Sequence, residues 1–213
     1  MVRQDYLRTS AIIDWDNLQV LMRARSLRAE AGEDPTAIAQ ACFEWVRDHI
    51  RHSVDYQLNP VTCKASDVLH HRSGYCYAKS HLLAALLRAN GIPSGFCYQR
   101  LSLDDQSAPY CLHGFNGAYL PEWGWYRMDA RGNRQDSDAQ VNAQFTPPTE
   151  QLAFPRNCAT EADFPAILPH PLPVVLTALA GDHTWDALLK RLPDIEPAAA
   201  HSHGLDQRPP SQL

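Results

Sequence analysis

One stretch of this sequence is helical in spacing yet has almost no polar face. From Cys76 to Ala89 the residues CYAKSHLLAALLRA place Ala78, Leu82, Leu83, Ala85, Leu86 and Leu87 around most of a helix circumference. A helix of that kind must be covered on several sides, so the pattern predicts that it lies at the centre of the fold. Asn90-Gly91 supplies its C-terminal stop, and Pro93 prevents continuation. Gly95 to Leu101 then alternates apolar and polar residues as a strand does. Two more strands are predicted at about Tyr110–Leu120 and Trp125–Ala130, joined through Pro121-Glu122-Trp123-Gly124 as a β-hairpin.

Ahead of this core, Trp15, Leu18, Leu21, Met22 and Leu27 recur at helical spacing and predict an amphipathic helix over about Asp14–Ala31. A second begins where Asp34 can cap and Pro35 fits the first position, and it ends near Arg51. Val54 to Ser66 reads as an extended connection, followed by a helical turn at Ser66–His71. Helices followed by strands, with no internal repeat, indicate the α+β class rather than alternating βαβ units. Eleven of the 16 prolines fall after Thr146, a density that forbids long regular elements and predicts an extended arm over residues 146–196 with short helices near Val174–Ala180 and Trp185–Leu192. From Pro197 the chain has little to bury, so residues 197–213 are expected to be disordered. The expectation is one domain over residues 1–196, its core at about 34–135.

With 19 basic against 24 acidic side chains, the net charge of −5 argues against a phosphate-tracking nucleic-acid binder. No apolar run reaches membrane-spanning length, and charges interrupt the first 25 residues throughout, so no membrane or export segment is read and a soluble, cytoplasmic protein is expected. In that setting the six cysteines are thiols rather than a disulfide framework, and no Cys-x-x-Cys pair suggests zinc. His70-His71 and His201-Ser202-His203 lack a third ligand at a recognisable spacing. Neither a metal nor a cofactor is called for.

The chemistry concentrates on three residues. Arg72-Ser73-Gly74-Tyr75-Cys76 delivers a cysteine to the N-terminus of the central helix, where free N–H groups and the helix dipole favour a thiolate. A thiolate nucleophile needs a base that can also protonate a leaving group, a task suited to histidine. His113 lies within the strand YCLHGFNGAYL on the face of Cys111 and Phe115, a costly place for an imidazole without a polar partner. The hairpin turn brings Asp129 nearly opposite it, where a carboxylate could fix the ring's tautomer.

Three pieces of the chain together resemble the transglutaminase-like superfamily of papain-fold cysteine enzymes. Ser73 to Phe96, SGYCYAKSHLLAALLRANGIPSGF, is similar to that family's Gly-x-Cys helix and Arg-Ala-x-Gly-Ile-Pro turn. His113-Gly114-Phe115 stands where the family shows His-Ala-Trp, and Gly124-Trp125-Tyr126-Arg127-Met128-Asp129 resembles its Gly-Trp-x-x-x-Asp. The departures are Gly114, and Tyr77 in place of an acidic residue. The likeness spans about Tyr56 to Asp129 and implies an α+β papain-like core, with Cys76 as nucleophile, His113 as base and Asp129 as orienting carboxylate. It further implies a cysteine hydrolase, a peptidase or amidase acting through a thioester on a peptide, protein or small amide substrate. An acyltransferase to an amine, and an inactive peptide-binding member of the same fold, are the alternatives. The Cys76 N–H is the natural first oxyanion donor, and Tyr56, Tyr75 and Trp125 are candidates to assist the oxyanion or contact substrate. Arg88 is read as an anchor for the helix end.

Overall fold

The computed structural model describes residues 2–103, 107–134, 141–156, 158–181 and 184–208. In chain order the elements are α1 (Val2–Asp5), α2 (Leu18–Ala31), α3 (Pro35–His49), β1 (Arg51–His52), α4 (Ala65–His71), β2 (Ser73–Gly74), α5 (Cys76–Ala89), β3 (Ser94–Ser102), β4 (Tyr110–Leu120) and β5 (Gly124–Met128). The C-terminal part adds β6 (Gln144–Thr146), β7 (Thr149–Gln151), β8 (Ala162–Asp163), α6 (Pro173–Leu179), α7 (Trp185–Leu189) and a 3-10 helix (Pro197–His203).

The predicted centre is the centre. Every residue of α5 from Cys76 to Arg88 is buried. The helix is covered by α2, α3 and α4 on one side and by β3 and β4 on the other. Caps fix where the covering helices start. Asp34 accepts from the N–H groups of Thr36 and Ala37 at the head of α3, with Pro35 in its first turn, while Asn17 accepts from Gln19 N–H at the head of α2.

The main sheet runs β5-β4-β3-β8, antiparallel throughout, with the mixed helix-and-sheet composition expected of the α+β class. One face meets α5: the Asn116 amide donates to Ser80 O at 3.0 Å and Gly95 O at 3.2 Å, and Ser80 Oγ donates to Gly114 O at 3.1 Å. The other face meets the C-terminal arm. Gly95 and Gly117 pair across β3 and β4, and a Cβ on either would lie 2.7 Å from Ile167, so glycine at both makes the flat seat on which that side chain rests. Phe96 and Leu168 exchange backbone hydrogen bonds at 2.8 and 2.9 Å and hold the arm in place.

Two differences from the sequence reading have simple causes. Pro197 to Arg208 is not a loose tail: a 3-10 helix forms there, Gly204 closes it in a left-handed conformation, Ala200 and Leu205 are buried, and Ala166 N–H bonds the Leu205 carbonyl. A single leucine and a few alanines suffice because a ready-made surface receives them. Residues 209–213 of the expected tail lie outside the described residues. The pairs β1–β2 and β6–β7, each of two or three residues per strand, are too short to leave a period-2 signal.

Candidate active site

Cys76 opens α5, and the segment before it is fixed from both sides. Arg51–His52 pairs in parallel with Ser73–Gly74, and Thr62 Oγ1 donates to Ser73 O at 2.9 Å. Gly74 is needed for this packing, because a Cβ there would lie 3.1 Å from the Ala78 Cβ and 3.2 Å from Thr62 Oγ1. Tyr75 provides no side-chain cap, so the first N–H groups of the helix keep the unpartnered character general to helix N-termini.

His113 projects from β4, and Asp129 follows the last residue of β5. Asn116 pairs with Met128, so the register sets Asp129 diagonal to His113, close to the nearly opposite placement expected. Diagonal partners on one face still come within reach of long side chains: His113 Nε2 and Asp129 Oδ2 are 2.6 Å apart, with both residues buried. Backbone N–H groups complete the carboxylate, Arg131 donating to Oδ1 at 3.0 Å and Ala153 to Oδ2 at 3.1 Å. The ring is clamped by Phe115, stacked at 5.8 Å, and by Phe154, edge-on at 5.0 Å.

Burial works against a charged His113, but Asp129 and a charge on Cys76 outweigh it, and the imidazole is raised from 6.5 to about 10. Burial likewise opposes ionisation of Asp129, yet the His113 cation and the two backbone donors hold it below the usual carboxylate value. Cys76, in the same cavity, also contributes to the raised His113 value. With Nε2 turned to Asp129, the other ring nitrogen is the one left for the sulfur.

Cys76 and His113 line a cavity of about 310 Å³ together with Tyr75, Cys111, Arg131 and Phe154. Of the residues singled out in the sequence, Tyr75 therefore belongs to the cavity and two do not. Tyr56 is 60% exposed and faces a neighbouring hollow instead. Trp125 packs on Tyr6 at 4.7 Å and Tyr119 at 5.8 Å, because β5 presents it to the arm side of the sheet. The sequence reading also missed His52, which lines the cavity, packs tilted against the Tyr75 ring at 4.9 Å and lies 3.4 Å from Asp55. Burial pushes His52 down to about 4, so it is neutral. Asp55 is gripped by both nitrogens of the Arg131 fork, at 2.8 and 2.9 Å. The network joins residues 76 positions apart in the chain, and no local spacing announces it.

Both departures from the family pattern meet at one contact. A Cβ on Gly114 would sit 2.7 Å from Tyr77 Cδ1, and the Tyr77 hydroxyl donates to the Leu112 carbonyl. Tyr77 on α5 therefore leaves no room for a side chain at position 114 of β4 without a shift. Gly114→Ala is accordingly expected to cost about 2 kcal/mol by overpacking, and clearly less in a Tyr77→Leu background. Urea unfolding of the four proteins of the cycle measures this, and equal costs in both backgrounds would refute the pairing.

All six cysteines are free thiols. Among the described residues no helix is long and apolar enough to cross a membrane, and no group of three or more His, Cys, Asp and Glu is placed to hold a metal. The model of the transglutaminase-like superfamily matches residues 23–130, just over half of the chain and nearly the whole span from α2 to Asp129. The chain belongs to the transglutaminase-like superfamily. No curated protein matches it. Among solved structures this superfamily member is similar to a candidate cysteine protease from Cytophaga hutchinsonii, at 21% identity and a TM-score of 0.49, covering 61% of this chain and 42% of that one. It is also similar to the periplasmic domain of TgpA from Pseudomonas aeruginosa, at 24% identity and a TM-score of 0.45, covering 61% and 46%. A red sea bream transglutaminase matches at 13% identity and a TM-score of 0.40, covering 58% and 26%. The chain thus spans less than half the length of each of these structures.

Proposed function

We propose that this transglutaminase-like protein is a cysteine hydrolase of amide bonds, with Cys76 as nucleophile, His113 as acid and base, and Asp129 as the group that orients His113. The observation that carries the reading is the buried His113–Asp129 pair at 2.6 Å, with Cys76 acting on the same ring inside one cavity. Cys76 sulfur adds to the substrate carbonyl, and the developing oxyanion is received by the Cys76 N–H at the open start of α5. The His113 imidazolium gives its proton to the leaving nitrogen, so an amine departs and a thioester remains. Neutral His113 then takes a proton from water as its oxygen attacks the thioester. The thioester carbon–sulfur bond breaks, the acid is released, and Cys76 sulfur is restored beside His113, which keeps the proton taken from water. The Tyr77–Gly114 contact supports a working site over an inactive binding member, since it accounts for the altered histidine motif by packing alone.

The test is p-nitrophenyl acetate, a reactive acyl donor that needs no matched specificity. A stoichiometric burst of nitrophenolate is expected, with one acetyl group found by mass spectrometry on the Cys76 peptide. Steady release without an acetyl-Cys76 species, or unimpaired turnover by Cys76→Ala, overturns the assignment. Faster decay of the acetyl enzyme in added amine than in water would move the reading to an acyltransferase.

A further inference from the structure

The cavity that holds Cys76 does not end at its own wall. His52 and Arg131 also line a second hollow, of about 180 Å³, so the two spaces adjoin across those side chains. Among the described residues, the charged side chains lining this second hollow are Arg47, Arg51, Arg131 and Arg134 against Asp48 and Asp55. A chain with a net charge of −5 and 16 arginines has therefore gathered four of them around one small basin beside its nucleophile.

The two carboxylates are already engaged. Asp48 is held by Arg47 through both nitrogens of its fork, at 2.7 and 2.8 Å. Asp55 receives Arg131 at 2.8 and 2.9 Å and Arg134 at 3.4 Å. Arg51 is exposed and makes no ion pair with a described residue, and its guanidinium lies 5.6 Å over the exposed Tyr56 ring. An exposed guanidinium held beside an aromatic ring still has its fork of donors to offer, and arginine takes a planar anion in two parallel hydrogen bonds.

We infer that this arginine basin is an anion subsite, and that the acyl substrate carries a carboxylate that docks there while its carbonyl lies at Cys76. The inference rests on the proposed function and adds the substrate class: an acidic peptide or other carboxylate-bearing amide. Arg51 supplies the forked contact, and Arg131, tied to Asp55, stands beside it at the wall shared with the Cys76 cavity. Asp55 then has a second role, because it fixes Arg131 and faces His52 and so sets the wall between nucleophile and subsite.

A pair of isosteric affinity labels tests this: the α-amides of N-chloroacetyl-glycyl-glutamate and N-chloroacetyl-glycyl-glutamine, which share one electrophile and differ by one charge. Their rates of alkylation at Cys76 are followed by peptide mass spectrometry. At low ionic strength the glutamate label is expected to react about tenfold faster, the gain usual for one charge-assisted pair. The preference should shrink in about 0.5 M salt, where screening is strong, and Arg51→Gln should bring the two rates within about twofold, the neutral label serving as the internal control. Equal rates in the parent, or a preference that survives both salt and Arg51→Gln, overturn the subsite. If neither label modifies Cys76, the nucleophile itself is refuted and the subsite falls with it.

Discussion

Asp129→Asn is expected to slow acylation by p-nitrophenyl acetate about 10⁴-fold, the loss typical when a triad's orienting carboxylate becomes an amide. In the parent, Oδ2 accepts from both His113 Nε2 and Ala153 N–H, and Oδ1 accepts from Arg131 N–H. An amide has one oxygen for three donors. If its NH₂ faces His113, it also meets Ala153 N–H, and the ring must present a bare Nε2 there and carry its proton on the nitrogen facing Cys76, which can no longer accept one. If it turns the other way, NH₂ meets Arg131 N–H and a buried donor is orphaned, at about 1–3 kcal/mol. A merely structural aspartate would show only that second, modest cost.

The pH profile separates the two roles. His113 is raised from 6.5 to about 10, so its charged form adds stability that is complete below about 6.5 and fades as pH rises through about 10. Removing the Asp129 charge should bring the imidazole down toward or below its ordinary value, read directly by NMR titration of the ring, and the alkaline stability limb should move down with it. An asparagine variant that keeps more than one-tenth of the parent rate, with its imidazole titration unmoved, would contradict the orienting role.

Much of this site was legible before any coordinates, for identifiable reasons. The apolar circumference of α5 left it only one place in a fold, and Asn90-Gly91-Ile92-Pro93 marked its end within a residue. His113 and Asp129 could be paired because a hairpin maps sequence distance onto space. The same mapping shows its limit, since the turn was centred one residue early and the true register makes the contact diagonal. Tyr56 lies in the neighbouring hollow rather than the Cys76 cavity, where His52 of β1 stands instead, and a parallel pair only two residues long has no period to read. The arm's contribution, Phe154 against the imidazole and Ala153 against the carboxylate, depends on contacts 41 and 24 residues away along the chain. Proline density announced an irregular path there but could not say where it touches.

The largest effect on stability is expected at Arg88. Its guanidinium is 3% exposed and donates to Ser94 O at 3.1 and 2.8 Å, Arg8 O at 2.8 Å and Pro169 O at 2.7 Å. These carbonyls belong to the N-terminal segment, the start of β3 and the C-terminal arm, so one side chain joins three separate stretches to the end of α5. Burial lowers its pKa from the usual arginine value to about 10, yet the group remains charged across the neutral range. Arg88→Met keeps the aliphatic stem and abandons three carbonyls, of which that of Ser94 is buried. The expected cost is about 4 kcal/mol, or a fall in Tm of about 10 °C for a chain of this size. Arg88→Lys should recover only part of this, because an ammonium cannot reproduce a fork that reaches three acceptors at once. Calorimetry of both variants checks the order. Since the arm also carries Phe154 and Ala153 to the His113–Asp129 pair, Arg88→Met should loosen the site as it loosens the fold. A variant that melts within about 2 °C of the parent would show that the arm is held by the Phe96–Leu168 hydrogen bonds and the Ile167 seat alone.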